Sequence, residues 1–108
     1  MTPMDAERTG RILEGAIRMW GRELQMIVAV EELSELQKAL CKRLRAEDAD
    51  VGTRARMEDS ICEEIADCYI MLQQMELLFD TDGAVADWEV RKLERLEKRV
   101  FGDWIRDN

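Results

Sequence analysis

The sequence predicts an all-α protein, either a compact helical bundle or a half-bundle completed by a second chain, and three observations carry that prediction. Only one proline and six glycines interrupt 108 residues. Charged residues make up 37% and aromatics 6%, a balance that disfavours a β-rich sandwich or a disordered tail. Apolar residues also recur at spacings of three and four in four separate stretches, the period of a helix with one buried face. With 46% hydrophobic residues, the chain has enough apolar surface for one modest core, so a single domain spanning 1–108 is expected.

The first stretch opens on Thr2 and Pro3, an N-cap followed by a residue suited to the first helical position, and continues through Leu13, Ala16, Ile17, Trp20 and Leu24. Gly10 and Gly15 weaken this helix, and Gly21 marks a kink or boundary before the next one. From about Arg22 to Ala46, Met26, Ala29, Leu33, Leu36, Leu40 and Leu44 form a stripe with no Pro or Gly inside it. Residues 47–53 are polar, contain Gly52 and read as a loop, with Thr53 a candidate cap for the third helix.

That third helix is predicted from about Arg54 to Phe79, with Ile61, Ile65, Cys68, Leu72, Met75 and Phe79 on its apolar face. Asp80, Thr81, Asp82 and Gly83 end it in a turn. A calcium loop is a poor match there, because Arg91 occupies the position of the bidentate glutamate. A fourth helix is predicted from about Ala84, with Val90, Leu93, Leu96 and Val100 inward and Trp104 on one further turn past Gly102.

Acidic residues outnumber basic ones 24 to 16, so the formal charge is −8. The resulting field repels nucleic-acid polymers and anionic membranes and favours a cation as partner. No apolar run approaches the roughly 20 residues that cross a bilayer, and the polar start lacks signal-peptide character, so a cytoplasmic location is expected. Cys41, Cys62 and Cys68 form no CxxC pair, and the chain has no histidine to complete a zinc site. They read as small buried apolar residues in a reducing compartment.

In so acidic a chain most carboxylates solvate a helix face, but two pairs sit differently. At about 100° per residue, Glu32 lies on the shoulder of the second helix's apolar stripe, and Glu35 is about 60° further out. Glu64 lies between Ile61, Cys68 and Met71 on the third helix, with Asp67 about 60° out on the same side. If the two stripes pack together, the four acids converge, and a cation must neutralise them because like charges in a partly dry cleft raise each other's pKa. No Lys or Arg occupies the i±3 or i±4 positions around Glu32, Glu64 or Asp67. Glu94 and Glu97, by contrast, stand among Arg91 and Lys98 in an ordinary surface ion-pair lattice. Oxygen ligands without histidine suit magnesium, with manganese as an alternative. Lys92, Arg95 and Arg99 share one flank of the fourth helix, where they could neutralise a polyphosphate.

Segments 31–40 (EELSELQKAL) and 63–72 (EEIADCYIML) carry the pattern Glu-Glu-x-x-Glu followed by Glu-x-x-Asp. This resembles the two metal-binding helices of the MazG-like all-α nucleoside triphosphate pyrophosphohydrolases, and Trp20 with Gln25 matches what precedes the first motif in that family. The likeness runs from about Trp20 to Arg99. It implies a four-helix MazG-like bundle, with Glu32, Glu35, Glu64 and Asp67 as magnesium ligands. The implied reaction cleaves a nucleoside triphosphate between its α and β phosphates, giving a nucleoside monophosphate and pyrophosphate in nucleotide-pool cleaning.

The resemblance further implies that Glu31, or the freest of the four ligands such as Glu35, serves as base. Lys92 and Arg99, with Arg95 and Lys38 behind them, are implied as phosphate contacts, and Gln25 as a residue facing the nucleotide. A homodimer or homotetramer sharing helices between subunits is the implied assembly. The chain departs from the family in lacking an asparagine in the last motif. The alternatives are a nucleotide-sensing module without catalysis and a structural helical oligomer whose carboxylates form a charged seam.

Overall fold

The computed structural model of the chain describes residues 3–80 and 82–107. The described residues form four α-helices in the order α1 (Ala6–Trp20), α2 (Arg22–Leu44), α3 (Val51–Phe79) and α4 (Ala84–Asp107), with no strand among them. The protein is all-α, as composition and periodicity predict. Two compact units divide the chain, Met1–Leu78 and Phe79–Asn108. Among the described residues, no helix is long and apolar enough to cross a membrane.

Side chains that satisfy orphan N–H groups of the first turn start α1 and α3, whereas a glycine starts α2. Thr2, the expected first cap, lies outside the described residues. Asp5 caps α1 instead: its carboxylate accepts from the Arg8 N–H at 2.8 Å, and a negative charge there also complements the helix dipole. Gly21 separates α1 from α2 with φ 88° and ψ 159°, a conformation open essentially to glycine alone. Its N–H donates to the Ile17 carbonyl at 2.8 Å, and its own carbonyl accepts from Gln25 N–H at 3.1 Å, so one residue closes one helix and opens the next.

Helix α3 begins three residues earlier than expected, because Asp50 rather than Thr53 is its cap. The Asp50 carboxylate accepts from the Thr53 N–H at 2.8 Å and from the Thr53 hydroxyl at 2.9 Å. Those two bonds hold the Asp50 carboxyl below the usual carboxylate range. Thr81, expected in a turn after α3, lies outside the described residues, and α4 runs through Gly102 to Asp107.

In the first unit, α2 and α3 run antiparallel. Arg43 on α2 bonds Glu58 on α3 at 2.8 Å, whereas Glu32, earlier on α2, accepts from the Cys68 thiol, later on α3, at 3.4 Å. The core of this unit is Leu13 from α1, Ala29 from α2 and Cys68 and Met71 from α3, with Gln25 and Gln74 buried among them. Leu36, Ile61, Ile65 and Met75 are half-buried. Three helices do not cover the whole of each predicted stripe, so Met26, Leu33, Leu40, Leu44 and Leu72 remain exposed, and Phe79, the first residue of the second unit, is exposed as well. Cys41 and Cys62 are exposed as well, and only Cys68 fits the expectation of a buried thiol.

Val90, Leu93, Leu96 and Val100, expected to point inward, are each at least 50% exposed on α4. The physical reason is that α4 is the one helix lying wholly within the second unit among the described residues, and no other helix of that unit covers its stripe.

Candidate metal centre

Two antiparallel helices bring the carboxylates together. Glu32 stands on α2 two turns past the buried Gln25 and one turn past the buried Ala29, so it emerges at the edge of the α2–α3 contact. Glu64 stands one turn before the buried Cys68, and Asp67 immediately before it. The Cys68 thiol bonds the Glu32 backbone carbonyl, which sets the register of the helices at this level. One carboxylate oxygen from each of Glu32, Glu64 and Asp67 then falls within 4.8 Å of the others, and all three residues are half-buried.

The electrostatics record that crowding. Burial, followed by the charges of Asp67 and Glu64, a side-chain hydrogen bond with Asp67 and the charge of Glu35, pushes the Glu32 carboxyl above its ordinary value. The Glu64 carboxyl is also raised, first by burial and then by Asp67, Glu35 and Glu63. Burial raises the Cys68 thiol too, helped by the charges of Glu32, Glu64 and Asp67. None of the ion pairs among the described residues involves Glu32, Glu64 or Asp67. One oxygen of Glu64, Oε2, is buried with no hydrogen-bond partner.

Compared with known protein families, curated proteins and solved structures, the chain matches none. The chemistry of the donor set is therefore what speaks to a ligand. Three carboxylates with no nitrogen or thiolate donor among them suit a hard divalent ion taking oxygen ligands. A buried carboxylate oxygen without a donor is costly to leave unsatisfied, and a bound cation would both satisfy it and relieve the repulsion of its neighbours.

The other sequence-predicted residues stand in several places. Glu35 is exposed and outside the group of three, but it lines a groove with Glu64 and adds its charge to both Glu32 and Glu64. Glu31 is exposed on α2. Gln25 is only 4% exposed and sits in the interior of the first unit. Lys38 lines the same groove as Glu35. Lys92, Arg95 and Arg99 are exposed on α4, where the Lys92 ammonium lies 5.9 Å from the centre of the Trp88 ring and Arg91 lies at 4.9 Å.

Two residues near the acids escaped the sequence reading. Lys42 and Ser60 line the groove with Glu35 and Glu64. The signal for both was spacing: Lys42 is seven residues beyond Glu35 and Ser60 four before Glu64, which places each on the same helix face as its acid.

Proposed function

We propose that this chain is a magnesium-dependent nucleotide pyrophosphohydrolase that splits a nucleoside triphosphate between its α and β phosphates, with manganese able to replace magnesium. The observation that carries the proposal is the approach of Glu32, Glu64 and Asp67 from two helices without a cationic side chain among them, together with the unpartnered buried oxygen of Glu64. Glu-Glu-x-x-Glu on α2 and Glu-x-x-Asp on α3, the motifs that resemble the MazG-like family, contribute these same acids.

Glu32, Glu64 and Asp67 would hold the ion, with Glu35 as a further oxygen ligand at the edge of the site. Such an ion would supply charge neutralisation at the phosphoryl oxygens and would help to orient a water. In the reaction, that water's oxygen bonds to the α phosphorus while the bond from this phosphorus to the α–β bridging oxygen breaks. The bridging oxygen leaves with pyrophosphate, and the water's proton passes to Glu35 or Glu31, both exposed acids of α2.

An assembly of two or four copies belongs to the same proposal. Its support is the extent of exposed apolar surface, which includes Trp20, Ile27, Val30 and Leu44 in the first unit and Trp88, Leu93, Leu96 and Phe101 on α4. Large exposed apolar patches on a folded unit mark interaction surfaces. The same surface is what favours the alternative of a structural helical oligomer.

A panel of common and non-standard nucleoside triphosphates, incubated with the protein and magnesium, separates these readings. Release of pyrophosphate rather than orthophosphate from at least one substrate is the expected result. Failure on every substrate, combined with a melting temperature indifferent to magnesium and nucleotide, would leave the structural oligomer standing, since a ligand held by the folded state must stabilise it.

A further inference from the structure

We infer that the groove running from Glu35 and Glu64 toward the C-terminal end of α2 is the subsite for the terminal phosphates of the substrate, bound by Lys38, Lys42 and Ser60. This rests on the metal-dependent hydrolase reading above and adds to it a location, an orientation and two residues, Lys42 and Ser60, beside Lys38. The groove encloses about 230 Å³ between the second half of α2 and the first half of α3, and its lining includes Lys38, Lys42, Met57 and Ser60 as well as the two acids.

Its chemistry changes along its length. At one end stand Glu64, one of the three clustered carboxylates, and Glu35, which lies outside that group. From there Lys38 and Lys42 follow at helical spacings of three and seven residues from Glu35, so both ammonium stems rise from one face of α2. At roughly 1.5 Å per residue, Lys42 begins about 10 Å beyond Glu35 along the helix axis. A row of two cations leading away from an acidic cluster matches a chain of phosphates better than a single compact anion. Across the groove, the Ser60 hydroxyl can donate to a phosphate oxygen, while Met57 supplies an apolar wall.

Neither lysine is engaged elsewhere, since no ion pair among the described residues includes Lys38 or Lys42. The neighbouring Arg43 is fully committed: it bonds Glu58 at 2.8 Å and Glu47 at 2.9 Å. Its bond to Glu58 ties α2 to α3 at the far end of the groove. Lys38 and Lys42 are thus the cationic side chains of the groove lining that an incoming anion would meet.

The charge balance makes a specific demand. Four acids (Glu32, Glu35, Glu64 and Asp67) against two ammonium groups leave the region net negative, so phosphate binding requires the divalent ion first. The polarity along α2 then puts the bond to be broken at the carboxylates, the β and γ phosphates in the groove, and the nucleoside on the other side of the acids. Two phosphates beyond the scissile bond are what the row of lysines can use, which favours a nucleoside triphosphate over a substrate with a single phosphate on that side.

The test titrates the full-length protein with inorganic pyrophosphate by calorimetry, with and without Mn²⁺, and follows Mn²⁺ binding separately by electron paramagnetic resonance. Pyrophosphate is expected to bind only when Mn²⁺ is present. Lys38→Met with Lys42→Met, which keeps most of each apolar stem, should weaken pyrophosphate binding about tenfold or more while Mn²⁺ affinity stays unchanged. Lys42→Met alone serves if the double variant does not fold, and is expected to show a smaller loss of the same kind. Variants that bind pyrophosphate as tightly as wild type with Mn²⁺ binding intact overturn the subsite and leave the metal reading in place. A wild-type protein that binds no Mn²⁺ overturns the metal reading and the subsite with it.

Discussion

The Cys68 thiol donates to the backbone carbonyl of Glu32 across 3.4 Å. This contact joins the most buried stretch of α3 to α2 at the level where the carboxylates meet. Because Glu64 and Asp67 flank Cys68 on α3 at i−4 and i−1, the depth at which this small residue packs fixes how near they come to Glu32. The core and the candidate centre are thus two sides of one helix contact.

Replacing Glu64 by Gln removes a charge and keeps the shape. We expect the variant to lose turnover by more than about a hundredfold, a loss that even outer-shell changes at metal sites can approach, with helical content by circular dichroism unchanged. Retention of full activity would take Glu64 out of the site.

The pH dependence follows from the raised carboxyls. Glu32 and Glu64 hold their protons in the folded state above the ordinary value of 4.5, so the folded state binds more protons than the unfolded one as pH falls from neutrality toward that value. Stability therefore rises on acidification through this window, is fully present below the unfolded pKa and is lost as pH climbs through the folded one. Thermal melts of metal-free protein should show a higher Tm at about pH 5 than at neutral pH. Magnesium should raise the Tm more at neutral pH, where the acids are ionised, than at the lower pH.

Gly21→Ala tests the α1–α2 junction. Nothing lies within 4 Å of the position a Cβ would take, so the cost is purely one of backbone conformation at φ 88° and ψ 159°. A loss of about 1–3 kcal/mol is expected, read as a shift in the denaturation midpoint without a change in slope.

Sedimentation should report a mass of two or four times the 12.6 kDa chain. Introducing charge into the exposed apolar stripe of α4, as in Leu93→Glu with Leu96→Arg, is expected to shift the population toward smaller species. An unaltered mass would place the interface elsewhere on the chain.

The legible part of this fold was local. Four apolar periodicities predicted four helices, and the boundary at Gly21 was visible because an interruption at that position suits no other residue so well. Asp50 was harder to read: both it and Thr53 are good caps, and the choice depends on which side chain reaches the other's amide. The buried Gln74 carried no sequence signal as a core residue, since a glutamine on a mostly apolar helix is ordinarily solvated.

The pairing of acids at i and i+3 on two helices, and the absence of neighbouring bases, could be read from the sequence by itself, because helical periodicity fixes which side chains share a face. It could not decide which of them meet. Glu35 and Asp67 lie at similar angles from their respective stripes, yet Asp67 joins Glu32 and Glu64 while Glu35 lies outside the group of three. A wheel angle measures displacement from a helix's own buried face; whether that displacement leads toward the partner helix or away from it depends on the register and side of approach. Contacts between residues far apart in the chain set those, among them Cys68 with Glu32 and Arg43 with Glu58. The groove of Lys38, Lys42 and Ser60 exists for the same reason, as a product of two helices meeting rather than of either helix alone.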